Sequence, residues 1–329
     1  MFRSASIRWG VLAALVAVMF AGCGGAQNGM VTPVTSAQGR AHRASGSGGD
    51  LLYTIGFVKS QGGFVRVYTY PQGDLTSRFW LPGHEGRTAC SDNSGNVFFP
   101  AIISDKPVVY EYAHGATTPS ATLDDSDGHI LYANGCAVDP VTGNLAIANS
   151  TGGTSESNIA IFTAASGSPT FYYNQEFGYD NNLFCSYDGA GNLFVIGFST
   201  SIMAELPHGA ADFTNVTVSG PPGKVVPLGQ IQWDGQYLAM GPLQNVYRVT
   251  VSGSTATVVG KTPLINHGNG WFWIQGDTII DNMTPRHGSG TAFWHYPKGK
   301  KPYQIVSTFK HRSDSGTSAA TVSVAPTHK

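Results

Sequence analysis

The sequence predicts an all-β fold, a six-bladed β-propeller in which one blade is completed by both termini. Three observations predict it. Only 12% of the 329 residues are charged, Gly occurs 42 times and aromatics make up 11%, a balance suited to short strands joined by turns rather than to helices. A Gly-Asn pair or a close variant recurs at Gly49-Asp50, Gly95-Asn96, Gly143-Asn144, Gly191-Asn192, Gly235-Gln236 and Gly276-Asp277, at intervals of 46, 48, 48, 44 and 41 residues. A period in that range marks propeller blades or similar repeat units. A second marker keeps step with the first, a strand ending in a Gly turn, at Tyr70–Gly73, Tyr112–Gly115, Ala164–Gly167, Leu206–Gly209, Val251–Gly253 and Tyr296–Gly299.

In chain order, residues 1–23 carry Arg3 and Arg8, then the apolar run Trp9–Phe20, then Ala21-Gly22-Cys23. The run is too short to span a bilayer and suits the core of an export signal. Small residues directly before Cys23 resemble the bacterial lipoprotein processing site, although Phe20 stands where Leu is usual; that resemblance implies lipid attachment at Cys23. The alternative is an ordinary secretory signal cut near Ala26. Either way the mature chain is expected outside the cytoplasm, in the bacterial cell envelope. Residues 24–48 are rich in Gly, Ser, Ala, Gln and Thr and cannot offset the entropy of ordering, so they read as a flexible tether. The propeller is expected over 49–325, with 326–329 as a tail.

Within one repeat the expected order is an inner strand (Gly135–Asp139), a second strand after Gly-Asn, a third before the Gly turn and an outer fourth strand (Pro169–Tyr173). Residues Gly49–Ile55 begin at a second strand with no first strand before them. Thr317–Val324 has the character of a first strand with no second after it. Pairing the two completes the sixth blade, removes an exposed sheet edge and closes the ring.

The segment Gly135-Cys-Ala-Val-Asp139 followed by Gly143-Asn-Leu-Ala-Ile-Ala148 resembles NHL-type repeats and, more loosely, the gluconolactonase-type six-bladed propellers. The resemblance covers roughly residues 49–325. It implies the fold; members range from partner-binding scaffolds to metal-dependent lactonases and lyases, so it transfers no activity. The gluconolactonase-like enzymes hold a divalent cation with acidic and amide side chains. Here Glu occurs only at 85, 111, 156, 176 and 205, and none is expected in an inner strand.

Loops entering the inner strands should surround the channel mouth. His84, His129 and His267 fall in such loops, where three imidazoles could hold zinc and activate water; scatter of ten His residues over six blades is the plainer account. Asn134, Asn181, Asn182 and Asn269 also precede inner strands and could meet a polar ligand, or cap turns. Trp271 and Trp273 share one face of an inner strand, where Trp271 could stack on a sugar or fill the wedge between blades. Cys90, Cys136 and Cys185 read as corresponding inner-strand positions; an exported protein could oxidise a pair, but inner strands of adjacent blades usually lie too far apart for a disulfide, so small packing residues are the plainer account. Asp124-Asp-Ser-Asp-Gly128 fails the EF-hand spacing and reads as a solvated turn. Lys298, Lys300 and Lys301 form the one local basic group and also read as a solvated turn.

Formal net charge is −1 with scattered Lys and Arg, which argues against nucleic acid as a partner. Gly-x-Ser-x-Gly, His-Glu-x-x-His, the P-loop and Gly-x-Gly-x-x-Gly are absent from the sequence. The leading reading is a monomeric, non-catalytic, membrane-tethered binding module for an envelope protein, peptide or glycan, with no bound cofactor. The alternative is a metal-dependent lyase or hydrolase in which His84, His129 and His267 hold zinc or calcium. A third, purely structural subunit would have its channel plugged by side chains.

Overall fold

In a computed structural model of the chain, the structure describes residues 48–58, 62–82, 85–86, 88–103, 106–126, 128–151, 156–178, 182–197, 202–220, 229–241, 244–283, 290–306 and 315–326. The expected signal, the expected lipidation site Cys23 and the expected tether through residue 47 lie outside them, as do residues 327–329. Among the described residues the only helical pieces are two three-residue 3-10 turns.

The chain forms successive antiparallel meanders. The first holds β1 (Leu51–Val58), β2 (Gly62–Thr69) and β3 (Leu75–Trp80); the second holds β4 (Glu85–Gly86) and β5 (Cys90–Ser91), both paired to β6 (Val97–Ile103), then β7 (Lys106–Tyr112) and β8 (Ala121–Asp124). The third is β9 (Tyr132–Val138), β10 (Leu145–Ser150), β11 (Asn158–Phe162) and β12 (Thr170–Tyr173). Next come β13 (Leu183–Tyr187), β14 (Leu193–Gly197), β15 (Ile202–Leu206) and β16 (Thr214–Ser219), then β17 (Gln230–Trp233), β18 (Leu238–Gly241), β19 (Asn245–Ser252) and β20 (Thr255–Pro263). The last is β21 (His267–Gln275), β22 (Thr278–Met283), β23 (Thr291–His295) and β24 (Gln304–Val306). The final strand, β25 (Ser315–Ser323), returns to the first sheet and pairs with β1, with Leu52 opposite Val322. Glu85, expected outside the inner strands, stands in β4 at the inner end of its sheet.

Separate sheets are not what the hydrogen bonds give throughout. β16 leaves its neighbour β15 after Val216 and pairs in parallel with the start of β20, Thr217 opposite Thr255, so two meanders fuse into one eight-stranded sheet. This is one of several links between the outer part of one meander and the outer part of the following one. Asn174 Nδ2 donates to Asn215 Oδ1 at 2.7 Å; Leu264 bridges Lys300; Gln304 Nε2 donates to the carbonyls of Pro71 and Gln72 at 3.1 and 2.9 Å.

β10, β11, β14 and β18 are buried at every position, covered on both faces, so β10 reads as Leu-Ala-Ile-Ala-Asn-Ser rather than alternating. The apolar core is accordingly divided into wedges, each between two successive meanders. Tyr53 and Val65 meet Phe99 and Tyr112; Cys90 and Phe98 meet Leu145 and Ile147; Ala146 and Ile159 meet Leu193 and Val195. Farther round, Ile196 and Val216 meet Met240 and Val249; Val246 meets Ile279 and Trp294; Ile280 and Phe293 meet Leu52 and Val322, back at the first sheet. The arrangement is propeller-like.

The Gly-Asn marker has a structural cause. Asp188 Oδ1 accepts from Ala190 N and Asn192 N at 2.8 and 2.9 Å, and Asn192 Nδ2 donates to Asp188 Oδ2 at 2.9 Å, closing the turn from inner to second strand. Asn192 Oδ1 then accepts from His208 N at 3.0 Å, in the Gly turn that is the second marker. The two markers keep step because one bonds the other. Gly191 takes φ +86°, and a Cβ there would come within 2.7 Å of His208 Nδ1 and 3.1 Å of Asp139 Oδ1, so conformation and space both demand glycine.

The cysteine expectation is corrected: Cys90 and Cys136 form a disulfide, with Cα atoms 5.7 Å apart, and only Cys185 stays free among the described residues. The positions do not correspond. Counted back from the turn Asp, Cys136 and Cys185 lie three residues before Asp139 and Asp188, whereas Cys90 lies two before Asp92. One residue flips a strand side chain to the other face, so Cys90 and Cys136 enter the same wedge while Cys185 enters the next one.

The closing strand is held from the second meander too. Ser91 Oγ donates to Val322 O at 2.8 Å and Ser323 Oγ donates to Gly95 O at 2.5 Å. Because that hydroxyl proton is committed, His114 Nδ1, 2.7 Å from Ser323 Oγ, must be the donor in their bond. Burial holds the His114 pKa below its ordinary value.

Two predictions follow from the ring. Cys136→Ser should lower stability by about 4 kcal/mol, the chain-entropy value for the loop closed across 46 residues, read as a loss in urea denaturation that matches reduction of the wild type. For His114 the folded-state pKa is depressed, so its contribution is present above the unfolded value of about 6.5 and is lost as pH falls from there toward the folded value. Wild-type melting temperature should therefore fall between neutral and mildly acidic pH more steeply than that of His114→Asn; parallel curves would remove His114 from the closure.

Candidate functional site

The innermost strands follow one another around a central cavity in the order β5, β9, β13, β17, β21, β25 and back to β5. The cavity measures about 170 Å³ and is lined by Cys90, Cys136, Phe184, Gln232, Trp233 and Trp273, among others. That is below the 300–1,000 Å³ usual for small-molecule pockets. Its described lining carries no carboxylate, imidazole or cation. Burial pushes the Cys185 thiol up to about 12 and the Tyr187 phenol well above its ordinary range, so neither is ionised at neutral pH.

What the lining does is join neighbouring strands, by a different device at each seam. Beside the disulfide, Gly135 lets β9 approach β13: a Cβ there would lie 3.0 Å from Phe184 Cα and 3.2 Å from Cys185 N. Trp233 N donates to Ser186 Oγ at 2.9 Å across the next seam. Between β17 and β21 two glutamine amides act as a substitute strand. Gln230 Oε1 accepts from Phe272 N and its Nε2 donates to Phe272 O, both at 2.7 Å; Gln232 does the same with Ile274 at 2.6 and 2.9 Å. Each amide satisfies one N–H and one C=O that no ladder partner reaches. No sequence motif announces them; their signal is a polar residue at alternate positions of an inner strand, Gln230 and Gln232.

Trp271 stands edge-on to Phe184 with ring centroids 6.0 Å apart. Trp273 packs both against the wedge holding Cys90 and Cys136 and against the wedge holding Leu52 and Val322. Both indole N–H groups are buried without a hydrogen-bond partner. The two tryptophans fill space between sheets.

The other expected site residues are dispersed. Asn134 is buried and donates to Ser150 Oγ at 2.7 Å, inside its own sheet. The His129 ring rests on Phe171 of the outermost strand β12, centroids 5.1 Å apart. His84 and Asn181 lie outside the described residues. His267 and Asn269 belong to β21, but their side chains lie outside the description. Among the described residues no three His, Cys, Asp or Glu side chains stand close enough to hold a metal ion. The Asp124–Gly128 turn is braced rather than freely solvated: Asp125 is buried and accepts from His129 N and, at 2.8 Å, from Ile130 N. Asn149, not singled out from sequence, holds the same loop. Its Oδ1 accepts from Leu131 N and Tyr132 N at 2.7 and 3.1 Å, and its Nδ2 donates to His129 O at 2.8 Å.

Exposed aromatic rings appear instead at one rim, where an outermost strand hands over to the next inner strand. Trp80 ends β3, Tyr173 ends β12 and Tyr132 begins β9, with 50%, 50% and 38% of their surfaces exposed.

Gln232→Leu should leave the N–H and C=O of buried Ile274 unpartnered and cost about 2 kcal/mol or more, measured by chemical denaturation; a neutral result would make the amide bridge dispensable. Cys185 should resist iodoacetamide at mildly alkaline pH in the native state and react on unfolding, with mass spectrometry of its peptide as the readout.

No protein-family model matches the chain, and no curated protein matches it. Solved structures do. A chain of a nidogen/laminin complex superposes with a TM-score of 0.61 at 10% identity, over 85% of this chain and 100% of that one. A Bacteroides caccae protein of unknown function superposes with a TM-score of 0.57 at 11% identity, over 83% of this chain and 98% of that one. At such identities the likeness is one of fold, and together with the radial sheets and the wedges between them it identifies the fold as a β-propeller.

Proposed function

We propose that the chain is an exported, membrane-tethered, six-bladed propeller that acts as a binding module for an envelope protein, peptide or glycan. The count of six takes the eight-stranded sheet as two blades joined at their outer edges by β16 and β20. Each half is a complete four-stranded meander, and each has its own wedge on either side. NHL-type repeat character rests on the Asp-turn and Gly-Asn geometry of those blades.

The observation that carries the reading is the contrast between channel and rim. The channel is narrow and its lining is occupied in joining strands, whereas Trp80, Tyr132 and Tyr173 offer large exposed rings at strand ends, where an outermost strand gives way to the next inner strand. Aromatic side chains in such positions supply contact area at low entropic cost. The neighbouring fold belongs to a structure titled as a nidogen/laminin complex, which supports protein binding as the use of this surface. Export is supported by the Cys90–Cys136 disulfide, a bond characteristic of oxidising compartments. Lipid attachment rests on Ala21-Gly22-Cys23. His129 lies against an outermost strand, which favours the binding reading over a histidine-held metal.

Two measurements test this. Radiolabelled palmitate should enter the wild-type chain and not Cys23→Ser. The purified mature chain, applied to arrays of envelope peptides and glycans, should bind defined members, and Tyr132→Ala combined with Tyr173→Ala should weaken binding roughly tenfold or more without lowering the melting temperature. Binding that survives the rim variants, or that disappears on chelation, would overturn the assignment.

A further inference from the structure

We propose that the outer wall formed by β20 and the turn before β24 docks on an anionic lipid bilayer, giving the domain a membrane contact of its own. The fold brings together two segments that are far apart in the sequence. Lys300 N donates to Pro263 O at 2.6 Å, Ile265 N donates to Lys300 O at 2.7 Å, and Thr262 Oγ1 donates to Pro297 O at 2.9 Å. These bonds place Lys261, on β20, beside Lys298, Lys300 and Lys301, and all four are exposed. Residues 255–265 and 297–306 contain those four lysines and no acidic residue, in a chain whose formal net charge is −1. The charge is segregated there. Asp74 and Asp277 stand at the borders.

Apolar exposure concentrates on the same wall. Val259, Ile265, Tyr303 and Ile305 are 49%, 45%, 43% and 53% exposed, and Leu75, 55% exposed, follows the Tyr70–Gly73 turn that Gln304 clasps. Lysines interleaved with tyrosine and aliphatic side chains match a headgroup layer, where cations meet anionic lipid and apolar side chains enter the acyl boundary. A solvated turn accounts for the lysines alone but not for the aliphatic side chains between them.

Position relative to the chain start points to the same occupant. Tyr70 N donates to Asp50 O at 2.8 Å, so the turn that Gln304 clasps also holds the residue at which the folded domain begins. The 25 residues between Cys23 and Gly49 can span at most about 80–90 Å. A lipid held at Cys23 therefore keeps this wall within reach of the same bilayer. One lipid signal holds a protein weakly, and a basic patch is the kind of second signal that makes attachment stable.

The test isolates the wall from the anchor. The mature chain carrying Cys23→Ser is floated with vesicles of phosphatidylcholine, alone or with a third phosphatidylglycerol, at about 0.05 M and about 0.5 M salt. The expected result is binding to phosphatidylglycerol vesicles at low salt, lost at high salt. It should fall roughly tenfold or more when Lys261, Lys298, Lys300 and Lys301 are changed to Gln, and also fall in Ile305→Ser. A control changing Lys59, Lys106, Lys224 and Lys329 to Gln removes as many charges and should keep binding. Equal binding to phosphatidylcholine alone, equal loss in the control, or equally tight binding of soluble heparin would overturn the proposal. The salt and lipid response of the Cys23→Ser chain with its lysines intact decides the matter even if a further variant fails to fold. Because Cys23 is absent throughout, failure here leaves palmitate labelling untouched, and the reverse.

Discussion

Everything in this fold hangs on the pairing of β1 with β25. A four-stranded meander has two faces, and in a radial arrangement each face is buried only if a neighbour stands on that side. An open row of meanders would leave its first and last faces in water and the inner edge of the first sheet unpaired. Setting Leu52 opposite Val322 gives the first sheet its fourth strand and completes the last wedge, where Leu52, Val322, Ile280 and Phe293 pack. One antiparallel pairing thus serves two wedges and turns a linear series into a ring. The extra bonds from Ser91, His114 and Gly95 to this strand fall where closure needs them, because β25 arrives from the far end of the chain and has no hairpin to hold its register.

Much of this was legible in the sequence because the repeat is enforced locally. The turn Asp, the Gly three or four residues beyond it and the Asn that follows the Gly bond to one another and to the next Gly turn, so any blade that keeps the geometry keeps the letters. Closure was legible for the complementary reason: a second strand without a first at one end, and a first without a second at the other. What escaped depends on parity and on distance across seams. Cys90, Cys136 and Cys185 look alike when only the order Cys, Asp, Gly is compared, since each precedes its marker Gly by five to seven residues. Aligned by Asp, Cys90 is out of phase, and the bond to Cys136 becomes possible. The parallel link of β16 to β20 escaped because it joins outer strands of different blades, which carry no periodic marker.

The site was less legible than the fold for a physical reason. Inner-strand residues of a narrow channel are constrained by neighbours on two sides, and Gln230, Gln232, Ser186 and Gly135 all serve those seams. Polar residues there look like ligand groups in a sequence but are consumed in satisfying backbone groups that a tapering ring leaves without a ladder partner. Asn134 is spent inside its own sheet in another way, its amide donating to the Ser150 hydroxyl. Asn149, at the end of a second strand, orders the loop that carries His129, and neither its type nor its spacing distinguishes it from a strand residue with its amide in solvent.

Residues with no duty to the ring are therefore the ones whose chemistry remains to be explained. Burying apolar area is favourable at roughly 25 cal/mol per Å², so large exposed rings and aliphatic chains on a monomer call for a use when they gather in one place. In this chain they occur in two settings, at strand ends between meanders and on the lysine-bearing wall. Trp80, Tyr132 and Tyr173 stand on the rim where blades hand over, uncharged and separated by strand ends. Leu75, Val259, Ile265, Tyr303 and Ile305 stand on a wall with four lysines, beside the point where the chain enters the fold. The first composition suits a shaped, largely neutral partner, the second a flat anionic one. The proposed tether and the proposed wall fit together, since a wall held against the bilayer would fix which rim faces away from it.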